Sequence, residues 1–302
     1  MSILSVGTVA FDAIETPFGK TDKIVGGAAT YFCLAASFFS KELSLVSVVG
    51  EDFPDSAIKM LENHNVNTKG LQIIQGEKTF FWSGRYHTDM NTRDTLDTQL
   101  NVLESFDPKI PEEFKQPDFL MLGNLTPSIQ KRAIDQIKNK PKLTVLDTMN
   151  FWMDNYFEDL KTVIKEVDVL TINDEEARQL SGEYSLRKAA EIILNMGPKY
   201  LIIKKGEHGS LLFDQKEMFF APALPLRNVL DPTGAGDSFA GGFVGYLDQH
   251  QEISFGVMKK ALINASAIAS FCVEKFGTER LVEITKKDLD KRLLEFVKLV
   301  SF

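Results

Sequence analysis

The chain has 302 residues, of which 44% are hydrophobic and 25% are charged, an ordinary composition for a globular protein. Its 34 Lys and Arg residues are outnumbered by 42 Asp and Glu residues, which gives a net charge of −8 at pH 7. Binders of nucleic acid or of anionic membranes need a basic surface, so we expect neither among the partners of this chain. An anionic small molecule remains compatible with the composition, because one pocket can be positive on an acidic protein.

Cysteine and histidine usage indicates a reduced, cytoplasmic protein without a structural zinc site. Cys33 and Cys272 each lie in an apolar run and no Cys-x-x-Cys pair occurs, a pattern typical of buried, reduced thiols. The four histidines are scattered along the chain. Residues 1–10 have no basic lead, so we interpret them as a buried first strand rather than a signal peptide. The sequence contains no run of about 18 consecutive apolar residues, so we expect no membrane-spanning helix.

Short apolar runs alternate with helical periodicity, and long helical runs dominate the last third of the chain. Most of the short runs are apolar on both faces, which is typical of a parallel sheet covered by helices on both sides. The predicted fold is a three-layer α/β/α sandwich with a central, mostly parallel sheet and a small β-strand lid. The predicted strands are Ile3–Val9, Leu43–Val49, Phe119–Gly123, Leu143–Asp147, Val167–Ile172 and Tyr200–Lys204. The predicted helices are Ala28–Phe39, Ser56–His64, Ser128–Lys138, Tyr156–Glu166, Leu186–Met196, Ala235–Gln249, Phe255–Phe276 and Lys287–Val300.

Two segments break this alternation. Ala13–Val25 is an irregular strand-like stretch, and Lys78–Thr88 is a strand rich in aromatic residues. One interpretation is a pair of surface hairpins; the other is a lid over a site at the carboxyl ends of the main strands. We predict a single domain over residues 1–302, with the lid formed by non-contiguous segments at about 12–25 and 78–100.

The aromatic lid strand presents two different faces. Trp82 and Tyr86 share one face, whereas Phe81, Arg85 and His87 share the other. Arg85 or His87 would then face a ligand or a partner chain. Because an exposed aromatic face usually marks an interface, we predict a homodimer through the lid.

The sharpest motif is Asp231-Pro-Thr-Gly-Ala-Gly-Asp-Ser-Phe-Ala-Gly-Gly-Phe243. Gly234 and Gly236 permit a tight turn and the close approach of another molecule, and a helix is predicted to begin near Ala235. The free N–H groups at that helix start would form an anion hole. Asp237 in the first turn would repel a resting phosphate, but it suits a base that takes a proton from a hydroxyl group. The plainer alternative is a tight turn followed by a helix-capping Asp.

This motif resembles the second signature of the ribokinase-like (PfkB) family of sugar and nucleoside kinases. Other landmarks of the family occur in the same order, and the resemblance spans about residues 3 to 280. They are Gly26-Gly-Ala-Ala-Thr-Tyr-Phe-Cys33, Gly50-Glu-Asp52, Asn173-Asp-Glu-Glu176 and Lys204-Lys-Gly-Glu-His-Gly209. The resemblance implies a ribokinase-like fold and an ATP-dependent phosphotransfer.

The resemblance implies a role for each matching position of the catalytic motif. Asp237 matches the catalytic base. Gly234, Ala235 and Gly236 match the residues whose amides face the transferring phosphate.

On the acceptor side, Asp12 matches the acidic residue that holds substrate hydroxyls. Gly26 and Gly27 match the backbone that lets the substrate come close. Tyr31 stands where many sugar kinases of the family carry Asn, and it either contacts a flat or apolar part of the acceptor or packs under the lid. From its place in the lid we add Arg85 to the acceptor-binding residues.

The nucleotide side is implied in the same way. Lys204, Gly206 and Gly209 would lie beside the phosphates of ATP. Asn264 falls at a position where members of the family have a residue beside the adenine, and Gly277 follows at about the family's spacing.

Two metal sites are implied as well. Asn173 and Glu176 match the pair that organises Mg²⁺ largely through water, although alone they also read as a helix-capping box. Asp231 and Thr233, with the loop around Gly277, match a site for a monovalent cation such as K⁺.

The function that this resemblance implies is transfer of the γ-phosphoryl group of ATP to a hydroxymethyl group of a sugar or sugar-like substrate. A nucleoside kinase of the adenosine type is an alternative with the same fold. A catalytically silent sugar-binding regulator is a third, and the intact Gly234, Gly236 and Asp237 argue against it. A dinucleotide-binding oxidoreductase is disfavoured, because the glycine motif lies near residue 234 rather than after the first strand.

Overall fold

The computed structural model of the chain describes residues 2–301, which form two β-sheets and eleven α-helices. The main sheet has the strand order β14-β13-β12-β11-β10-β9-β1-β5-β6, numbered along the chain. In this spatial order the seven strands β12-β11-β10-β9-β1-β5-β6 pair in parallel. At the β12 edge, β13 and β14 are added in antiparallel orientation. Its strands are β1 (Ile3–Val6), β5 (Leu43–Gly50), β6 (Val66–Ile74), β9 (Phe119–Leu122), β10 (Leu143–Asp147), β11 (Val169–Asn173), β12 (Tyr200–Lys204), β13 (Ser210–Phe213) and β14 (Met218–Ala221).

Helices cover both faces of the main sheet, which confirms the predicted three-layer sandwich. Alternate side chains of one strand enter opposite cores: Ile3 packs in one and its neighbour Leu4 in the other. The first core is closed by α1 (Ala28–Ala36), α2 (Asp55–Asn63), α8 (Ala235–His250), α9 (Phe255–Cys272), α10 (Glu279–Glu283) and α11 (Lys286–Val300). The second is closed by α3 (Pro127–Asp135), α4 (Asn150–Asn155), α5 (Phe157–Ile164), α6 (Asp174–Ser181) and α7 (Leu186–Leu194).

The second sheet is the predicted lid, and we call it the lid sheet. It consists of β2 (Ala10–Thr16), β3 (Gly19–Lys20), β4 (Ile24–Gly26), β7 (Phe81–Tyr86) and β8 (Arg93–Gln99). β2 lies in its middle, parallel to β7 and antiparallel to β3 and β4. β7 and β8 form an antiparallel hairpin. The lid therefore follows β1 directly along the chain and projects from the carboxyl edge of the main sheet.

Two expectations about segment ends and surfaces need correction. The first strand ends at Val6 instead of Val9, because the chain there leaves the main sheet for β2. Phe81 does not stand exposed on the lid: it is half-buried and packs against the first core. The exposed aromatic face that suggested a dimer is therefore smaller than the sequence indicated.

The two cysteines are buried and unpaired, as predicted. None of the helices described in residues 2–301 has the length and hydropathy of a membrane-crossing segment.

Candidate active site

The turn before α8 is held in the form that the glycine motif requires. Gly234 has a φ of +74°, a left-handed conformation that L side chains rarely adopt, and caps the helix. The Asp231 carboxylate supports the turn through two hydrogen bonds. Its Oδ1 accepts the N–H of Thr233 at 2.8 Å, and its Oδ2 accepts the N–H of Gly277 at 2.8 Å. The predicted anion-hole residues thus stand at a helix N-terminus, where first-turn amides have no acceptor earlier in the helix. The N–H of Ala235 donates to the carbonyl of Pro232 at 3.2 Å.

Two side chains line this turn from below and beside it. The Tyr31 ring lies under Gly234, so close that a Cβ on Gly234 would come within 2.4 Å of it. Tyr31 is fully buried, and its hydroxyl has no hydrogen-bond partner among residues 2–301. A Cβ on Gly236 would meet the Lys204 ammonium group at 3.2 Å. Both glycines therefore leave room that a side chain would fill.

Asp147, Asn173 and Lys204 are the last residues of three adjacent parallel strands. All three stand at the carboxyl edge of the sheet, where Asn173 is in register with Lys204 and Asp147 is in register with Thr171. The Lys204 Nζ lies 3.2 Å from Asp147 Oδ1. Burial lowers the pKa of Lys204, but the Asp147, Glu176 and Asp237 carboxylates outweigh it and raise that pKa, so the ammonium stays charged. Asp147 was not among the sequence candidates, although an acidic residue that ends a buried strand is the signal that could have indicated it.

Asp237 lies in the first turn of α8, next to this ion pair. Its pKa is raised to about 7, chiefly by burial and then by the Asp147 carboxylate, against the opposing charges of Lys204 and Arg93. A carboxyl group with such a pKa can accept a proton near neutral pH.

Asn173 and Glu176 form a reciprocal capping box at the start of α6. Asn173 Oδ1 accepts the N–H of Glu176 at 2.7 Å, and Glu176 Oε2 accepts the N–H of Asn173 at 2.7 Å. Burial raises the pKa of Glu176 to about 7. Each group keeps lone pairs for water, and Asp147 supplies further oxygen atoms nearby. These carboxylate and amide oxygens are the kind of donor that Mg²⁺ prefers, an ion that usually keeps several water ligands. Within residues 2–301 no three His, Cys, Asp or Glu side chains form a metal cage.

Asp12 and the paired glycines meet where the lid sheet joins α1. A Cβ on Gly26 would lie 1.9 Å from Asp12 Oδ2, so only glycine leaves room for this carboxylate. The pKa of Asp12 is raised to about 7, chiefly by burial and then by the Asp231 carboxylate, against a hydrogen bond from the Gly27 N–H that lowers it. The carboxylate is thus within electrostatic reach of the α8 turn.

The remaining residues predicted to bind the nucleotide differ in how far their polar groups are already used in hydrogen bonds within the protein. Gly206 and Gly209 form the turn after Lys204, both with positive φ. Gly277 donates to Asp231, as described above. The Asn264 side chain is buried in α9 and donates to the carbonyl of Lys260 at 2.9 Å, so its Nδ2 is partly used within its own helix.

The lid approaches this site with one face only. Tyr86 is buried, and its Oη accepts a hydrogen bond from Thr233 Oγ1 at 3.2 Å. Arg85, the next residue back, points to the opposite face of β7, where its guanidinium donates to Glu15 at 2.9 and 3.2 Å. Strand alternation therefore places Arg85 outside the site, contrary to the sequence expectation.

The comparison with protein families decides the identity of this arrangement. The family model described as pfkB family carbohydrate kinase matches residues 2–285. The chain belongs to the pfkB family. It is therefore a sugar or nucleoside kinase, a phosphotransferase with an alcohol group as acceptor.

Individual relatives agree over nearly the whole chain. A cytidine kinase from Thermococcus kodakarensis is 29% identical over 250 residues, which cover 81% of this chain and 87% of that protein. A nucleoside kinase from Methanothermobacter thermautotrophicus is 26% identical over 306 residues, covering 92% and 91%. An E. coli protein assigned as a ribokinase II, solved in complex with ATP and Mg²⁺, superposes with a TM-score of 0.79 at 19% identity, covering 97% of this chain and 99% of that one. At that identity the superposition shows the shared fold.

Proposed function

We propose that this pfkB-family chain transfers the γ-phosphoryl group of ATP to a hydroxymethyl group, with Asp237 as the catalytic base. The observation that carries the proposal is the position of Asp237: a half-buried carboxyl group whose pKa is raised to about 7, in the first turn of the helix that follows the glycine turn of the proposed anion hole. A base and an anion site so close together suit the transfer of a charged group to a hydroxyl.

The reaction balances around these groups. The acceptor oxygen attacks the γ-phosphorus as its proton passes to Asp237, and the bond between the γ-phosphorus and the bridging oxygen of ADP breaks. The amides of Gly234, Ala235 and Gly236 stabilise the charge on the transferring group. Lys204, held by Asp147, adds a fixed positive charge beside Gly236. Asp12 orients the acceptor through its hydroxyl groups.

Two cations complete the proposal. Asn173 and Glu176 would hold Mg²⁺ through water, and Mg²⁺ when bound neutralises charge on the β- and γ-phosphates. Asp231 and Thr233 would stand beside K⁺ or another monovalent cation. Each Asp231 oxygen already accepts one N–H bond, which leaves a further lone pair for such an ion.

For the acceptor, we favour a nucleoside over a simple sugar. Trp82 pairs in register with Asp12, so both side chains lie on the same face of the lid sheet. The indole folds back over Gly84, where a Cβ would meet it at 2.2 Å. A flat aromatic surface beside the hydroxyl-holding carboxylate suits a substrate with a sugar and a base. The cytidine and nucleoside kinases among the relatives support the same choice.

The test is a panel of nucleosides and free pentoses with Mg²⁺-ATP, followed by ADP release. We expect turnover with at least one nucleoside, and with ribose only at much higher concentration. Turnover with a free sugar alone would support the simple sugar kinase instead. No ADP release with any acceptor, together with intact ATP binding, would favour a silent regulator.

A further inference from the structure

A second arginine of the lid hairpin lies on the face that Arg85 does not reach. Arg93 begins β8 and pairs with Tyr86 across the hairpin, so the two side chains share a face. Tyr86 itself touches Thr233 in the turn before α8. The side chain of Arg93 therefore projects from the lid sheet toward the anion hole.

The tip of the same hairpin rests on the other side of the nucleotide site. A Cβ on Gly206 would lie 2.3 Å from Asn91 Oδ1, which shows that this loop touches the turn after Lys204. Asp89 fixes the loop by accepting the N–H groups of Asn91 and Thr92 at 3.0 and 2.9 Å. Arg93 is thus carried on an arm that contacts the site at two points, the α8 turn and the Gly206 turn.

The charges around the site leave Arg93 free to meet an anion. Lys204 is already paired with Asp147, and the neighbouring Asp237 and Glu176 add negative charge. Arg93 is exposed, and within residues 2–301 no carboxylate lies within ion-pair distance of it. Its guanidinium interacts with the Tyr86 hydroxyl, which tends to lower the pKa of that group, and lies 5.8 Å from the Trp82 ring centre. Its charge still lowers the pKa of both Asp237 and Glu176, which indicates that it stands near both.

We propose that Arg93 is the cation that the lid delivers to the transferring phosphate. Its planar fork of N–H donors can bind two phosphate oxygens at once, which a lysine cannot do. The main sheet supplies the anion hole and Lys204, and the lid hairpin supplies the remaining positive charge. This role rests on the proposed function, because it presumes that a nucleoside triphosphate occupies the site.

The experiment measures nucleotide binding to the full chain, without any acceptor. Dissociation constants for Mg²⁺ with a non-hydrolysable ATP analogue, and for Mg²⁺-ADP, are determined for the wild type, Arg93→Gln, Arg93→Lys and Arg85→Gln. We expect Arg93→Gln to weaken binding of the ATP analogue by roughly 10- to 100-fold, the loss typical of a charge-assisted pair, with ADP nearly unaffected. Arg93→Lys should fall between the wild type and Arg93→Gln.

Arg85→Gln is the matched control, since it removes the same charge from the opposite face of the same hairpin. It should bind both nucleotides as the wild type does. If Arg93→Gln binds the ATP analogue as tightly as the wild type, or if Arg85→Gln loses as much, the role of Arg93 is overturned while the proposed function stands. A wild type that binds neither nucleotide overturns the proposed function and this role with it. Because Arg93 is exposed, unchanged melting temperatures without nucleotide will show that the variants fold.

Discussion

At the scale of single residues, Asp237 separates catalysis from folding. Asp237→Asn removes the proposed proton acceptor but keeps the size of the side chain, and it takes a half-buried carboxyl group out of the protein. We expect kcat to fall by about 10²- to 10⁴-fold with the melting temperature unchanged or slightly raised. Steady-state kinetics and thermal unfolding measure the two effects.

Asp55→Asn serves as the control, because Asp55 is also an Asp in the first turn of a helix, but it is exposed and belongs to α2. It should leave both quantities unchanged. Unchanged turnover in Asp237→Asn would instead support the plain capping interpretation of this residue.

Gly234 and Gly236 should respond differently to the same substitution. Gly234→Ala forces a side chain into a positive φ and onto the Tyr31 ring, so both stability and activity should fall. The φ of Gly236 is not positive, and a Cβ added there would make one close contact, with Lys204 Nζ at 3.2 Å. Gly236→Ala should therefore keep or raise the melting temperature, yet lower kcat by roughly 10²-fold because the phosphate is displaced. Equal losses of stability in the two variants would contradict the anion-hole assignment.

At the scale of elements, α6 and α11 offer a paired test of the metal site. Both begin with a capping box, Asn173 with Glu176 and Thr285 with Asp288. Glu176→Gln keeps an oxygen for the cap but loses the charge that Mg²⁺ needs, so the Mg²⁺ concentration for half-maximal rate should rise by roughly 10-fold. Asp288→Asn should leave the Mg²⁺ dependence unchanged. Rates measured over a Mg²⁺ titration decide this, and a normal titration for Glu176→Gln would reduce Glu176 to a helix cap.

Sequence patterns predicted those elements best whose signal is local. The Asp231–Phe243 motif placed the start of α8 at Ala235, because a glycine turn followed by an apolar stripe is legible within thirteen residues. β8 lies within the predicted lid segment 78–100, but it was not predicted as a strand, because all seven of its residues are exposed and mostly polar and no alternation marks it. Its role became visible only through pairing with β7.

The same reason explains why the sequence favoured Arg85 over Arg93. Alternation assigns Arg85 and Tyr86 to opposite faces of one strand, but it cannot say which face meets the main sheet. That choice depends on the register of β7 with β2 and on the contact between Tyr86 and Thr233, which join distant parts of the chain. Asp147 was missed likewise, since its partner Lys204 follows 57 residues later.

At the scale of the whole molecule, three carboxyl groups with raised pKa values make the free energy of unfolding depend on pH. Burial raises the pKa values of Asp12, Glu176 and Asp237 to about 7, above their ordinary values of 3.8 to 4.5. The folded protein therefore holds more protons than the unfolded chain between about pH 4 and 7. The free energy of unfolding of the ligand-free protein should fall as pH rises from 5 through 7 and then level off.

Urea unfolding at several pH values measures this slope, and Asp12→Asn should make it shallower. A slope of the opposite sign, or one that Asp12→Asn leaves unchanged, would mean that these groups ionise freely in the folded protein.

We also predict a homodimer through the lid sheet. With Phe81 partly covered, the exposed apolar side chains of the lid segments include Phe18, 64% exposed, Leu96, 48% exposed, and Leu100, 45% exposed. Leu96→Glu should convert the dimer to a monomer, because a charge there would be buried in the interface. Light scattering at micromolar concentration measures the mass, and a monomeric unmutated protein would contradict the lid dimer without touching the assignment of Asp237.

The position of Asp12 links timing to chemistry. Asp12 lies on β2 of the lid sheet, whereas Asp237 lies on a helix that packs on the main sheet. An outward movement of the lid would withdraw Asp12, the proposed acceptor-binding residue, together with Arg93, and would leave Asp237, the proposed base, in place. The same opening that releases the phosphorylated product would then separate Asp12 and Arg93 from Asp237. Product release and loss of the reactive arrangement would be one movement. Water would reach ATP chiefly in the open form, in which the residues proposed to position an attacking hydroxyl group are separated from Asp237.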